Sequence, residues 1–329
     1  MKFPVPFAAL ILLVFFTAAS CTERLVSTSE TRLSLGTYVQ LTVVGPKELQ
    51  EKTRHDIDDA FREIGSLEKR FDYRSVDGPL WKFNNATALR RQDDELLFSL
   101  VVRALDIAEL TDGYFDPTVL PLVELWGFDG DEPRLPGDGE IREALRRVGY
   151  RRVHVGDGTI EKPRDVKLDL SGIAKGEIVD LVADFLREKG YNDFLVNAGG
   201  DIYVSGLTDD RKKWRIAIQD PVHENRYSGV VEKSDAAIVT SGDYERFFVE
   251  AGVRYSHLFN PKTGYPASDL KSVSIIADKT AFADAVATAV FSMGSERGYD
   301  FLIRNDIPGF LIRGAKGSAP GYAAGGKAD

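Results

Sequence analysis

Residues 169–176 read Asp-Leu-Ser-Gly-Ile-Ala-Lys-Gly, placing an acid, a hydroxyl, two glycines and a lysine within eight positions. The octet follows a strand-like run, Val166-Lys167-Leu168, and opens the helical run from Glu177 to Lys189. A strand-to-helix turn of this kind aims backbone N–H groups and the positive end of a helix dipole at whatever lies above it. Anions are favoured there, phosphates in particular. Asp169 fits such a site only if it binds a sugar or base hydroxyl or lies close to a metal. A local use is equally open: Asp169 or Ser171 caps the helix and Gly176 eases packing.

A second group lies in Ala281-Phe282-Ala283-Asp284-Ala285-Val286-Ala287-Thr288. Asp284 and Thr288 are four apart and share a helical face, and the alanines let another backbone come close. A carboxylate and a hydroxyl without His or Cys offer hard oxygen ligands, suited to Mg²⁺ rather than Zn²⁺. The alternative is an acid favoured by the helix dipole, with Thr288 bonding back to a carbonyl. A third group joins Thr240-Ser-Gly-Asp-Tyr-Glu-Arg246 to His257 and the polar turn Asn260-Pro-Lys-Thr-Gly-Tyr-Pro266. His257 titrates in a useful range and offers a base or a hydrogen-bond donor, or else serves as a structural histidine.

The elements that must carry these groups alternate between strand and helix. Thr37 to Val44 alternates as a strand, whereas Ile57, Phe61, Ile64, Leu67 and Phe71 space a helix over 49–71. Residues 73–92 are polar and loop-rich. A helix over 95–110, a loop through Pro117 and Pro121 to Trp126-Gly127-Phe128, a short helix over 140–148 and strands over 151–168 follow. Phe194-Leu-Val196 then turns through Asn197-Ala-Gly-Gly-Asp201 into Ile202-Tyr-Val204. Strands at 214–219, 227–232, 236–240 and 272–277 precede helices over 280–293 and 295–305. No linker divides the chain; its best single cut is the Gly-, Pro- and Asp-rich 130–139. Residues 315–329, Gly- and Ala-rich without apolar periodicity, are expected to be disordered.

At its start, Met1-Lys2 and the apolar run Phe7 to Phe16 lead through Ala18-Ala19-Ser20 into Cys21, the one cysteine of the chain. An apolar core this short reads as a secretory signal over 1–20, not a membrane span. Cys21 stands where a lipoprotein signal places its lipidated cysteine, which would anchor an exported domain to a membrane surface. That domain, 22–314, then has no thiol for a disulfide, thiolate catalysis or a Cys-type zinc site. The four histidines are too scattered for a His-rich metal motif. A net charge of -9 and a pI near 5.2 argue against nucleic acid as a bulk partner.

Five motifs occur in order: the 169–176 octet, 197–201, 240–246, 257–266 and Ala283-Asp-Ala-x-Ala-Thr288. With Leu35-Gly36-Thr37, Tyr73-x-Ser75, Phe83-Asn84 and Phe115-Asp116-Pro117-Thr118, the chain closely resembles the ApbE family, the FAD:protein FMN transferases, from about Leu33 to Leu311. That resemblance implies an α+β fold, with mixed β-sheets and flanking helices around a nucleotide-binding cleft. It implies Mg²⁺ held by Asp284, Thr288 and the backbone carbonyl of Gly172. FAD contacts fall on Leu35 (where many members have Met), Tyr73, Phe115, Asp116, Pro117, Asp169, Lys175 and Leu258. His257 matches the histidine implicated in transfer, with Asp284 as its catalytic companion.

The implied reaction moves FMN from FAD to a Thr or Ser hydroxyl of an acceptor protein and releases AMP. Implied acceptors are membrane electron-transport subunits with an exposed motif of the form Asp-x-x-Ser/Thr-Gly-Ala-Ser/Thr. The implied location is the periplasmic face of a bacterial inner membrane, through the lipid anchor. Two rivals share the same residues: an FAD pyrophosphatase giving FMN and AMP, and a non-catalytic flavin-binding lipoprotein.

Overall fold

The structure is a computed structural model that describes residues 24–128, 130, 132–223, 226–314 and the backbone of 322–324. The signal segment and Cys21 lie outside the described residues.

Strands β1 (Leu25–Ser34) and β2 (Thr37–Pro46) form a hairpin whose two-residue turn is Leu35-Gly36. Both turn residues have positive φ, 56° and 68°, a geometry that matches strand twist but suits Asn-Gly better than Leu-Gly. Alternation along β2 sends Val39, Leu41 and Val43 into the core and leaves Tyr38 in solvent. Helix α1 (Gln50–Phe71) buries its spaced apolar face as the sequence predicts.

The segment expected to be loop over 73–92 contains α2 (Pro79–Asn85) and the short β3 (Ala88–Arg90). Pro79 starts α2, where its missing N–H costs nothing, and Leu80 and Phe83 bury it. Helix α3 (Glu95–Leu110) follows as expected, with Asp94 accepting from Leu97 N at 2.9 Å as its cap. The next expected loop also holds a helix, α4 (Leu120–Trp126), which begins with Pro121 in its first turn and stops at Gly127 with φ 76°. Two turns or fewer of helix give too little periodicity to read from sequence.

After α5 (Asp138–Leu145), the strands expected over 151–168 shrink to β4 (His154–Gly156) and β5 (Thr159–Glu161), which join β3 in a small sheet. Val166-Lys167-Leu168 is no strand. The Asn84 side chain donates to Leu168 O and accepts from Leu168 N, both at 2.8 Å, doing the work of a neighbouring strand. Helix α6 (Ser171–Glu188) begins six residues before the expected Glu177, so most of the octet is helix, not turn. Its glycines are there for close approach, as the site makes plain.

β6 (Phe194–Ala198) and β7 (Asp201–Ser205) form the expected hairpin, with Gly199 and Gly200 both at positive φ. Next come the hairpin β8 (Trp214–Gln219) and β9 (Tyr227–Lys233), strand β10 (Ala236–Gly242), the hairpin β11 (Phe247–Glu250) and β12 (Val253–Ser256), and strand β13 (Leu270–Ala277). Helices α7 (Thr280–Met293) and α8 (Ser295–Arg304) match expectation. β14 (Gly309–Arg313) completes the core. In the tail expected to be disordered, Tyr322–Ala324 forms β15 against β14; 315–321 and 325–329 lie outside the described residues.

The main sheet has order β1-β2-β6-β7-β10-β13-β14-β15. The fold is α+β with flanking helices, as expected. Where mixed sheets are expected, every pairing among the described strands is antiparallel. β1–β2 and β6–β7 are hairpins, whereas the chain makes the β8–β9 hairpin between β7 and β10, the β11–β12 hairpin between β10 and β13, and α7 and α8 between β13 and β14. β2 pairs with β6, so the early and late parts of the chain share one sheet. One face, carrying Val39, Val196, Val239 and Ile275, packs on α1, α3, α6 and α7. On the other face the β8–β9 hairpin covers Val204 and Ile238. A third cluster of Leu122, Trp126, Ile141 and Phe259 ties α4 and α5 to the loop after β12.

Candidate functional site

Residues four apart on α6 meet residues four apart on α7 in reverse order. Gly172 stands against Thr288, Gly176 against Asp284, and Asp180 against Thr280. A Cβ on Gly172 would lie 3.3 Å from Thr288 Oγ1, and one on Gly176 would lie 2.5 Å from the Thr280 carbonyl oxygen. Gly176 N donates to Asp284 Oδ2 at 3.1 Å. The Asp180 carboxylate accepts from Thr280 N (2.9 Å) and Ala281 N (3.0 Å), so α6 supplies the cap of α7 and locks the register. The alanines of α7 and glycines of α6 thus serve one purpose, a backbone approach that brings Asp284 and Thr288 onto the start of α6.

Thr53 and Thr111 bond back to carbonyls four residues earlier. Thr288 has no such bond among the described residues and faces a cleft of about 410 Å³. Asp284, Lys175 and Gly172 line the same cleft beside it. Asp201, at the start of β7, is 1% exposed, and neither of its carboxylate oxygens has a hydrogen bond among the described residues. Lys175 Nζ lies 3.3 Å from Asp201 Oδ1. Burial alone would lower the Lys175 pKa, but Asp201, Glu245 and Asp284 outweigh it and hold the ammonium charged. Burial, and then the neighbouring Asp201, push the Asp284 carboxyl well above the usual range. Buried carboxylates gathered around a single lysine leave negative charge short of compensation, which suits a divalent cation. Among the described residues no three His, Cys, Asp or Glu side chains form a metal cage by themselves. A carboxylate, a hydroxyl and a backbone oxygen, completed by ligand phosphate, fit a Mg²⁺ that keeps part of its own shell.

The remaining expected residues collect around this floor. Leu35, Tyr73, Phe115, Asp116, Asp169, His257 and Leu258 line the cleft. Pro117 is the exception: it sits behind Asp169, its carbonyl accepting from Asp169 N at 2.8 Å. Asp169 meets both the start of α6 and the cleft. It accepts from Ser171 N (2.8 Å) and Ser171 Oγ (3.0 Å) at the helix start, yet lines the cleft, and burial raises its pKa. The Asp116 carboxylate is taken up by Thr118 N (2.8 Å), Thr118 Oγ1 (2.6 Å) and Tyr150 N (3.0 Å), so it shapes the loop that presents Phe115.

His257 leaves β12 with Nδ1 3.2 Å from the Arg246 carbonyl, which fixes Nδ1 as the donor and leaves Nε2 as an acceptor. Burial pushes its imidazole down to about 4 against the opposing hydrogen bond to the Arg246 carbonyl, with the charges of Arg246 and Lys175 adding to the lowering. The ring edge packs on Phe128, 6.5 Å between centroids. Phe128 belongs to an aromatic cluster with Trp126, Phe248 and Phe259, and Trp126 Nε1 bonds Gly264 O at 3.0 Å. The Trp-Gly-Phe and Asn-Pro-Lys-Thr-Gly motifs are therefore the two halves of one clamp behind the histidine.

Sequence reasoning gave no role to Asp201, Glu245, Arg246 or Arg74. Glu245, Arg246 and Arg74 line the cleft, and Asp201 lies just behind Lys175. Three of the four lie within the singled-out motifs, but only the tertiary fold shows which charges face one another.

The chain matches the ApbE family over residues 35–311. The FAD:protein FMN transferase of Vibrio cholerae is 40% identical over 220 residues, 65% of this chain and 66% of that one. The protein of the same name from Treponema pallidum is 37% identical over 234 residues, 66% of this chain and 64% of that one. In both cases the match spans less than two thirds of the relative's length. The Salmonella typhimurium relative is 31% identical over 296 residues, covering 85% and 82%. Among solved structures, the ApbE protein of Thermotoga maritima superposes with a TM-score of 0.82 at 32% identity, covering 91% of this chain and 97% of its own. The flavin transferase ApbE from Vibrio cholerae gives 0.81 at 30% identity, with the same coverage.

Proposed function

Because this chain belongs to the ApbE family, we propose that it is a Mg²⁺-dependent FAD:protein FMN transferase, moving FMN from FAD to a Thr or Ser hydroxyl of another protein and releasing AMP. The observation that carries this reading is the reversed register of α6 on α7. It gathers Asp284, Thr288 and Gly172 in a cleft that His257 and, Pro117 apart, the expected flavin contacts also line.

FAD lies in the cleft with Leu35, Tyr73 and Phe115 against its apolar surface and its pyrophosphate toward the start of α6. Lys175 sets a fixed positive charge beside the non-bridging oxygens. Asp284, Thr288 and the Gly172 carbonyl would hold the Mg²⁺, whose charge would offset that of the pyrophosphate. His257, neutral and donating through Nδ1 to Arg246 O, accepts the acceptor hydroxyl's proton at Nε2. The hydroxyl oxygen bonds to the phosphorus nearer riboflavin as the bond from that phosphorus to AMP breaks. The acceptor keeps FMN as a phosphoester.

We also propose that Cys21 is lipidated and holds the enzyme at a membrane, on the periplasmic face of a bacterial inner membrane, where electron-transport subunits present the acceptor hydroxyl. Among the described residues no helix is long and apolar enough to cross a membrane.

The test mixes the chain from Thr22 with FAD, Mg²⁺ and an acceptor domain that a known transferase labels. Acceptor mass and nucleotide products are followed together. An FMN-sized mass gain with stoichiometric AMP, abolished by EDTA, is expected. AMP and free FMN without labelling would make the protein an FAD hydrolase. Intact bound FAD throughout would make it a flavin binder.

A further inference from the structure

The buried Asp201 has no part in the chemistry so far, and its surroundings are unusual. Its two carboxylate oxygens receive no hydrogen bond among the described residues, at 1% exposure. A buried carboxylate in that condition is costly to keep unless a nearby charge answers it. The charge is Lys175, 3.3 Å from Oδ1. The backbone holds Asp201 firmly. It follows the Gly199-Gly200 turn, pairs with Ala198 across the hairpin, and pairs with Val239 of β10 on its other side. Gly199 is packed so tightly on Thr37 that a Cβ there would overlap its side chain. Asp201 is therefore a fixed counter-charge on the sheet, facing the Lys175 ammonium of α6.

Asp284 and Glu245 are the other carboxylates acting on that ammonium. Without Asp201, Lys175 would turn to them, and an ammonium paired with Asp284 occupies the carboxylate that a cation needs. We propose that Asp201 is a positioning residue of the cation site: it holds the Lys175 ammonium off Asp284, leaving that carboxylate open to a divalent cation and the ammonium directed at phosphate. The inference rests on the transferase reading, in which Asp284 holds the metal.

It is tested by a double-mutant cycle read as Mn²⁺ affinity, from the free-ion EPR signal at saturating FAD without acceptor. The variants are Asp201→Asn, Lys175→Met and both together. Asp201→Asn is expected to weaken Mn²⁺ binding about 10-fold or more, the usual loss when an outer partner of a metal ligand is removed. In the Lys175→Met background the same change should cost no more than about threefold, because the competitor is gone. Equal losses in both backgrounds would overturn the proposal, since Asp201 would then act directly on the cation or on the fold. No loss in either would overturn it as well. Should the Asn variant fail to fold, Asp201→Ser, which leaves room for water, takes its place in the cycle. Absence of Mn²⁺ binding by the unmodified chain would instead defeat the metal-dependent reading on which the inference stands.

Discussion

Replacing Gly176 by Ala tests the helix contact that builds the site. The added Cβ would sit 2.5 Å from the Thr280 carbonyl oxygen, 2.7 Å from its carbon and 2.8 Å from Ala281 Cα. All three are backbone atoms, so no rotamer change relieves them. An ordinary contact needs about 3.4 Å or more. The helices must therefore part by about 0.9 Å or shear by as much. Overpacking of this kind costs about 1–3 kcal/mol, while the better helix propensity of Ala returns up to about 1 kcal/mol. The net change in stability is modest, at most a few degrees in Tm for a chain of this length. Geometry is the sharper readout. Gly176 N bonds Asp284, and Gly172 and Thr288 lie one turn away along the same contact, so a displacement near 1 Å falls on the cation site itself. Misplacement of that size costs about 100-fold in turnover. FMN transfer under saturating FAD and Mg²⁺ is the assay, and Gly65→Ala in α1 is the control, because among the described residues nothing lies within 4 Å of its Cβ. A Gly176→Ala enzyme with unmodified kcat and Mn²⁺ affinity would refute the argument that this contact sets the site.

Removing the cap by Asp180→Ala leaves the Thr280 and Ala281 N–H groups unpaired in a buried place and should cost about 2–3 kcal/mol in urea unfolding; an unchanged midpoint would contradict this. Leu35 holds φ 56°, where a non-glycine residue pays about 1–2 kcal/mol. Leu35→Asn should therefore leave Tm unchanged or higher while raising the KM for FAD about fivefold, and a lower Tm with unchanged KM would count against strain kept for binding. Because burial lowers the His257 pKa to about 4, the free enzyme carries the neutral base throughout the neutral range. The acid limb of kcat/KM should then lie near 4, and His257→Ala should lose about 10²–10⁴-fold in rate. The same shift has a stability sign. The unfolded chain takes up this proton first, so the contribution is complete above pH 6.5 and is lost as pH falls toward 4. An acid limb at pH 6.5 that vanishes in the His257 variant would show the imidazole to be unshifted.

Long periodic elements were legible in the sequence: α1, α3, α7 and the alternating β2 stand where their patterns put them. The short helices α2 and α4 were not, because Pro79 and Pro121 read as breakers although both occupy a first turn. The octet misled in a more instructive way. Gly172 and Gly176 look like turn residues but lie inside α6, and what they permit is contact with α7, far off in sequence. Asp284 and Thr288 were visible as a face, whereas the charges opposite them were not, since Asp201 and Glu245 arrive from β7 and from the loop after β10. The apolar residues 166–168 read as strand, but there the Asn84 side chain bonds Leu168 in place of a neighbouring strand.

The most direct test of the account is diffraction from crystals of the chain grown with FAD and Mn²⁺. One cleft is predicted to hold both: a manganese anomalous peak between Asp284 and Thr288, with the pyrophosphate beside it against Lys175 and the flavin near Tyr73. A manganese peak away from Asp284, or FAD bound outside this cleft, would contradict it.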